Sequence, residues 1–477
     1  MDEQGFPTIF ESMDERRIAT AMHAQILHSH PDRRYARVST DSRCVTGNEM
    51  FLALKGERFD AHDFLPQVFH AQCRGIVIDS AHAQTLTIPK EVTAFVVDDV
   101  LKAFGRLAAA ILDIRRTQNS PFEVYAVTGS NGKTTTKEFL AALLAAKNHR
   151  VLKTSGNFNN HIGLPMTVMG LSPHHDVAVL EMGASGPGEI AMLSGLAKPD
   201  VAIITCVGAS HLQGFGSIEG VAKAKGEMLH NNSLKRIVLP TSLQGFYGRE
   251  KTPCPIRWVG EGATVDLANM HSGIDGIDFE LCIDKRAIHI ALPFLGVHNA
   301  GNFALAVAAT GESWTHDELQ TAIDSVTLPS GRLERWNTLE HGDFLYDAYN
   351  ANPLSMRAAL DLIKGLTQTG QNHSLILGDM LELGPQSDQF HLELGRQAAQ
   401  THPQKLLCVG ASAHLVQQGA IQQGMKPDHI CATSKDDLDA GLQWIQDALV
   451  RGSLCLIKGS RGIALERVLN FFQVVKR

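Results

Sequence analysis

The residues best equipped for chemistry lie in VYAVTGSNGKTTTKEFLAALL, residues 124–144. There an apolar run enters a glycine-rich turn and continues directly into an amphipathic stretch. Gly129 and Gly132, with Ser130 and Asn131 between them, permit a tight turn whose backbone N–H groups can approach phosphate oxygens. Lys133 supplies a point charge for terminal phosphates, and the Thr134 hydroxyl can ligate Mg²⁺. Thr135 follows in the first helical turn, whose N-terminus itself favours anions. The loop is short, because Val127 stands where the general pattern places its first glycine. An ordinary strand–turn–helix with an exposed lysine is the competing reading. The run of strand, glycine turn and helix favours phosphate binding.

Three further residues could serve a metal. DVAVLEMG puts Glu181 at the carboxyl end of an apolar strand, the edge at which open α/β sheets present ligands. A carboxylate there can hold Mg²⁺ directly or through water, or can simply be solvated. DVAIITCVG leads into ASHLQGFGS, so His211 lies beyond the end of a neighbouring strand in a glycine-rich loop. In IEGVAKAKGEMLH, Val221, Met228 and Leu229 share one helical face, and Lys225 falls on it. Lys223 lies about 200° round the helix from Lys225 and points outward. An inward lysine is either snorkelling or chemically used. Desolvation and neighbouring cations favour its neutral amine, the form that reacts with CO₂ to give a carbamate.

The elements that position these residues read as α/β. GIVIDS (75–80), FEVYAVTG (122–129), LILGDM (375–380), KLLCVG (405–410) and SLCLIKG (453–459) are continuously apolar, as strands covered on both faces are. Amphipathic stretches such as KEFLAALLAAK (137–147) and MRAALDLIKGL (356–366) alternate with them, giving helices on both faces of mostly parallel sheets. Residues 250–293 read as short alternating strands forming an insertion or sheet edge. The chain has 477 residues, and at about 150 per domain that length implies three domains. TQNSP (117–121) and TLPSGRLER (327–335) have linker composition. The expected division is 1–100, 101–328 and 329–477.

Composition bounds the rest. A net charge of −7 argues against a nucleic-acid partner. The acidic start MDEQGFPTIFESMDERR has no signal-peptide core, and no apolar run reaches the roughly 20 residues a membrane helix needs. The eight scattered cysteines form no CxxC pair, and several, including Cys206, fall in apolar runs. Reduced, buried thiols in a cytoplasmic protein are expected.

TGSNGKTT, Glu181, His211 and AKGEM around Lys225 together make the chain resemble the Mur ligases, ATP-dependent amide-forming enzymes of peptidoglycan precursor synthesis. The resemblance covers nearly the whole length. It implies a central phosphate-loop domain between an N-terminal UDP-substrate domain (1–100) and a C-terminal Rossmann-like domain (329–477). It also implies ATP and Mg²⁺ as cofactors, with Thr134, Glu181, His211 and a carbamylated Lys225 as metal ligands. STDSR (39–43), GNEMFLALKGERFDAHDF (47–64), TSGNFNNHIGLP (154–165), DAYNANP (347–353), LGDMLELG (377–384) and KGSRG (458–462) resemble the branch that joins D-Ala-D-Ala to UDP-MurNAc-tripeptide. A monomer acting on these small molecules, with no membrane partner, is the matching expectation. Gln213 departs from the family, which is expected to carry Glu after His-Leu.

The same resemblance assigns Asn299 and Asn302 to adenine, one helical turn apart on a shared face; a plain polar first turn is the alternative. It assigns Arg332 to the ATP phosphates and Asp347, ending GDFLYD, to the ribose. Ser42, Arg43, Asn157, Asn159 and Asn160 fall to the UDP-linked substrate. Lys458, Ser460 and Arg461 fall to the peptide or its carboxylates, against the simpler reading of KGSR as a turn. Asn352, before Pro353, reads as a helix N-cap, and Asn350 as a weaker site candidate. Rival readings are another amide-ligase branch, including folate polyglutamylation, and a phosphate-loop switch that hydrolyses nucleotide without forming an amide.

Overall fold

The computed structural model describes residues 5–56, 58–338, 341–367 and 370–476. Residues 1–4 of the acidic start, and Glu57 within the 47–64 run, lie outside the described residues. Three α/β layers follow one another along the chain, each with its own sheet, in the three-part architecture that the sequence implies.

The first sheet has five strands between residues 25 and 97, all parallel except the edge strand Gln25–Leu27. Ser39 ends one of its strands, and Ser42 and Arg43 open the 3₁₀ turn Ser42–Cys44 just beyond it. Helix Val100–Arg116 then leads to the second sheet, packing Phe104, Leu107, Ile111 and Leu112 inward.

The second sheet has nine strands, with Glu123–Thr128 paired in parallel between Val177–Glu181 and Val201–Ile204. Side chains alternate across it. Val124, Ala126, Ala178 and Leu180 enter one core, while Tyr125, Val127, Val177 and Val179 enter the other. Each Val or Leu so buried contributes about 1.5–3 kcal/mol, which is why these strands are apolar on both faces. Within the 250–293 segment Ile256–Val259 continues the parallel part of this same sheet, and Val265–Gly273, Gly276–Ile283 and Arg286–Leu292 form an antiparallel meander at its edge. The third sheet, residues 334–476, has seven strands with a parallel core of Gly342–Asp347, His373–Gly378, Leu406–Val409, Ile430–Thr433 and Leu454–Lys458.

Only Cys73, Cys408 and Cys455 are buried thiols; Cys254, Cys282 and Cys431 are half-exposed and Cys44 is exposed. The strand ends at Ile204, so Cys206 is not a core thiol but half-exposed beside the glycine loop. No disulfide occurs among the described residues, and none of their helices is long and apolar enough to cross a membrane.

Candidate active site

The carboxyl ends of the second sheet's parallel strands open onto a cleft of about 690 Å³, closed on its far side by the third layer. Strand Glu123–Thr128 delivers the loop 129–132, and helix Lys133–Ala146 begins directly after it. Gly132 sits in the left-handed region (φ 80°), where a Cβ would lie 2.4 Å from Asn302 Oδ1. At Gly129 a Cβ would come within 1.9 Å of Thr205 Oγ1. Both positions therefore exclude a side chain. Ser130 Oγ donates to the Gly208 carbonyl at 3.0 Å, and the Asn131 N–H donates to Cys206 Sγ at 3.2 Å. The loop is thus fixed to the segment that carries His211. Lys133 Nζ folds back onto the Gly129 carbonyl at 2.8 Å, and burial lowers its pKa.

A chain of polar contacts crosses the cleft floor. Arg332, from the third layer, donates through Nη2 to Thr134 Oγ1 at 2.8 Å; that hydroxyl donates to Glu181 Oε2, also at 2.8 Å. Asn159 Nδ2 donates to Glu181 Oε1 at 2.8 Å. Glu181 is 2% exposed and has no ion-pair partner among the described residues. A buried carboxyl group with no ion pair, beside a hydroxyl oxygen, is a donor set suited to a hard divalent cation.

Lys225 and Lys223 separate as the helical spacing requires: Lys225 is 2% exposed and lines the cleft, while Lys223 faces solvent. Nζ of Lys225 has no hydrogen-bond or ion-pair partner among the described residues. Burial, reinforced by the nearby Lys133 charge, lowers its pKa to about 7. A neutral amine is therefore accessible near neutral pH. His211 lines the same cleft in a left-handed conformation (φ 50°), and its Nδ1 pairs with Glu382 of the third layer. That leaves Nε2 for another partner.

The remaining candidates divide. Asn299 and Asn302 are buried in the cleft wall and bonded to one another at 3.3 Å, with Asn299 also donating to the Leu295 carbonyl. Asp347 lines the cleft at its strand end, and Lys458 pairs with it. Lys458 is 1% exposed, its ammonium lies 2.6 Å from Asp347 Oδ2, and it lines the cleft beside that acid. Ser460 Oγ accepts from the Leu381 N–H at 3.1 Å, which ties it to the 379–382 loop, and Arg461 sits outside the cleft near the Tyr349 ring. Asn159 serves Glu181, and Asn160 Oδ1 accepts from the Gly163 N–H at the start of helix Gly163–Met169. Asn157 is exposed. Ser42 is half-buried and Arg43 exposed, both outside the cleft, with Arg43 held to Asp41 at 2.7 Å.

Tyr349, Glu382 and Cys206 join the site without having been singled out by sequence. Tyr349 carries Arg332 over its ring at 4.5 Å, and only its place in DAYNANP pointed towards it.

The Mur ligase middle domain matches residues 127–310, and the Mur ligase glutamate ligase domain matches 331–461. The chain belongs to the Mur ligase family. A UDP-N-acetylmuramoyl-tripeptide–D-alanyl-D-alanine ligase from Bacillus subtilis is 36% identical over 441 residues, covering 91% of this Mur ligase and 92% of the relative. Its Escherichia coli counterpart is 34% identical over 447 residues, covering 91% and 93%. Among solved structures, MurF from Acinetobacter baumannii superposes with a TM-score of 0.83 at 32% identity, covering 96% and 98% of the two chains. The Thermotoga maritima MurF ligase in complex with ADP gives 0.77 at 26%, covering 92% and 97%.

Proposed function

We propose that this Mur ligase joins D-Ala-D-Ala to UDP-MurNAc-tripeptide at the expense of ATP, giving UDP-MurNAc-pentapeptide, ADP and phosphate. The substrates follow from the relatives' activities. The chemistry rests on one observation: a phosphate loop whose Thr134–Glu181 pair shares a cleft with a buried, unpartnered lysine.

In this reading residues 1–100 hold the uridine end, 101–328 hold ATP, and 329–477 bring the dipeptide. The tripeptide's terminal carboxylate attacks the γ-phosphorus, forming an acyl phosphate and releasing ADP. The dipeptide amine then attacks the activated carbonyl and phosphate leaves. Lys133 and the loop N–H groups hold the phosphates, and Arg332 adds a cation from the third layer. Asn299 and Asn302 face the adenine, and Asp347, oriented by Lys458, accepts from the ribose. Thr134 and Glu181 would hold one Mg²⁺, and His211 with a carbamylated Lys225 a second. When bound, Mg²⁺ neutralises charge on the transferring phosphoryl group. No side chain acts as a covalent nucleophile.

The test follows ADP release with each substrate omitted in turn. Release is expected only with UDP-MurNAc-tripeptide and D-Ala-D-Ala both present. Turnover with single D-Ala or with glutamate in place of the dipeptide would overturn the assignment.

A further inference from the structure

Asn131 is the loop residue between the two phosphate-loop turns, and its side chain is held from another layer of the molecule. Its Nδ2 donates to Asn352 Oδ1 at 3.0 Å, and Asn352 Nδ2 donates back to Asn131 Oδ1 at 2.8 Å. Two amides paired in this reciprocal way fix distance and orientation together. Asn352 is 3% exposed and does not line the cleft, so it has no direct path to a ligand. The same Oδ1 also accepts from the Ser355 N–H at 2.9 Å, capping helix Pro353–Leu366, and Pro353 occupies the first helical position. One rigid helix start is therefore bolted to the loop. The loop backbone at Asn131 is fixed from its other side, by the Cys206 thiol on its N–H and the Thr205 hydroxyl on its carbonyl.

We infer that Asn352 is a positioning residue for phosphoryl transfer: through the amide pair with Asn131 it sets the phosphate loop's shape when the C-terminal layer is seated. A cap needs only the oxygen facing Ser355, and serine supplies that as well as asparagine does. The amide NH₂, and the reach to Asn131, serve the loop alone. The two jobs of Asn352 can consequently be separated by substitution.

This inference rests on the ATP-ligase reading, so Lys133→Ala serves as the control for that reading; unchanged ADP release in that variant would defeat the reading itself. Given a working loop, Asn352→Ser, Asn131→Ala and the double variant are compared by melting temperature and by steady-state ADP release. The expected result for Asn352→Ser is a melting temperature close to wild type and kcat reduced about tenfold, with KM for UDP-MurNAc-tripeptide unchanged. The double variant should be no slower than Asn131→Ala alone, because both changes remove one interaction. Multiplicative losses in the double variant would overturn the inference. So would a lowered melting temperature with wild-type kcat, which would leave Asn352 as a helix cap only, or wild-type kinetics in Asn131→Ala.

Discussion

Two lysines of the central layer are equally hidden from water, and their surroundings are opposite. Lys137, 1% exposed on the helix after the phosphate loop, donates to the Thr154 carbonyl at 2.5 Å and pairs with Glu138 at 2.9 Å. Glu138 is shared in turn with Lys153. Lys225, 2% exposed on helix Ile218–Gly226, lines the cleft, where burial and then the charge of another cation, Lys133, disfavour its ammonium form. A buried charge is tolerated when it is paired. The Lys137 region meets that rule and is structural. The Lys225 region breaks it, in a cleft also lined by Glu181, which has no ion pair among the described residues. An amine and a carboxylate left without ion pairs in one cleft are what the proposed reaction would use to take up substrate and cation.

The largest expected effect is on turnover. Lys225→Ala should reduce kcat for ADP release by about 10²–10³-fold, the scale of losing a preorganised electrostatic partner. Lys223→Ala, two residues away and exposed, should stay near wild type. Equal activities in the two variants would break the comparison.

Stability should respond in the reverse order. Lys137→Met removes one half of a buried network and is expected to cost about 2–3 kcal/mol in urea unfolding. Lys225→Met should leave stability unchanged or raise it at pH 7 in CO₂-depleted buffer. The sign follows from linkage: the folded pKa of about 7 lies below the ordinary 10.5, so between those values the unfolded chain binds more protons. The penalty for burying Lys225 is full below pH 7 and fades as pH approaches 10.5. Wild type should therefore gain stability relative to Lys225→Met on raising the pH from 7 to 10.

A smaller effect is expected at Asn159, which orients Glu181. Asn159→Ala should lower kcat by about tenfold and raise the Mg²⁺ concentration needed for half-maximal rate, as loss of an outer-shell hydrogen bond does. The smallest belongs to the N-terminal layer. Arg43→Ala, which removes only an exposed pair with Asp41, should change stability by less than about 0.5 kcal/mol. If Arg43 meets the uridine end, KM for UDP-MurNAc-tripeptide alone should rise.

The sequence made the phosphate loop readable because strand, glycines, lysine and helix are contiguous, and it made Lys225 readable because helical periodicity separates it from Lys223. The apolar runs likewise announced the α/β class, and the length the division into three. What could not be read were relations between residues distant in the chain. Asn159 was legible only as part of a substrate-like run, yet its amide serves Glu181. Lys458 was legible only as a candidate for the peptide or its carboxylates, and the parallel pairing of Leu454–Lys458 with Gly342–Asp347, which places it against Asp347, was not. Cys206 looked like a core thiol because the apolar run outlasts the strand. The Asn131–Asn352 and His211–Glu382 pairs join different layers, and no local pattern encodes such a pairing.

The central claim is that the unpartnered Lys225 amine is held for chemistry. Its most direct test is ¹³C NMR of the whole protein in ¹³C-bicarbonate near pH 8 with Mg²⁺ present. A single slowly exchanging carbamate signal is expected in wild type and in Lys223→Ala, and none in Lys225→Ala. No carbamate in wild type, or a signal that survives Lys225→Ala, would contradict the claim.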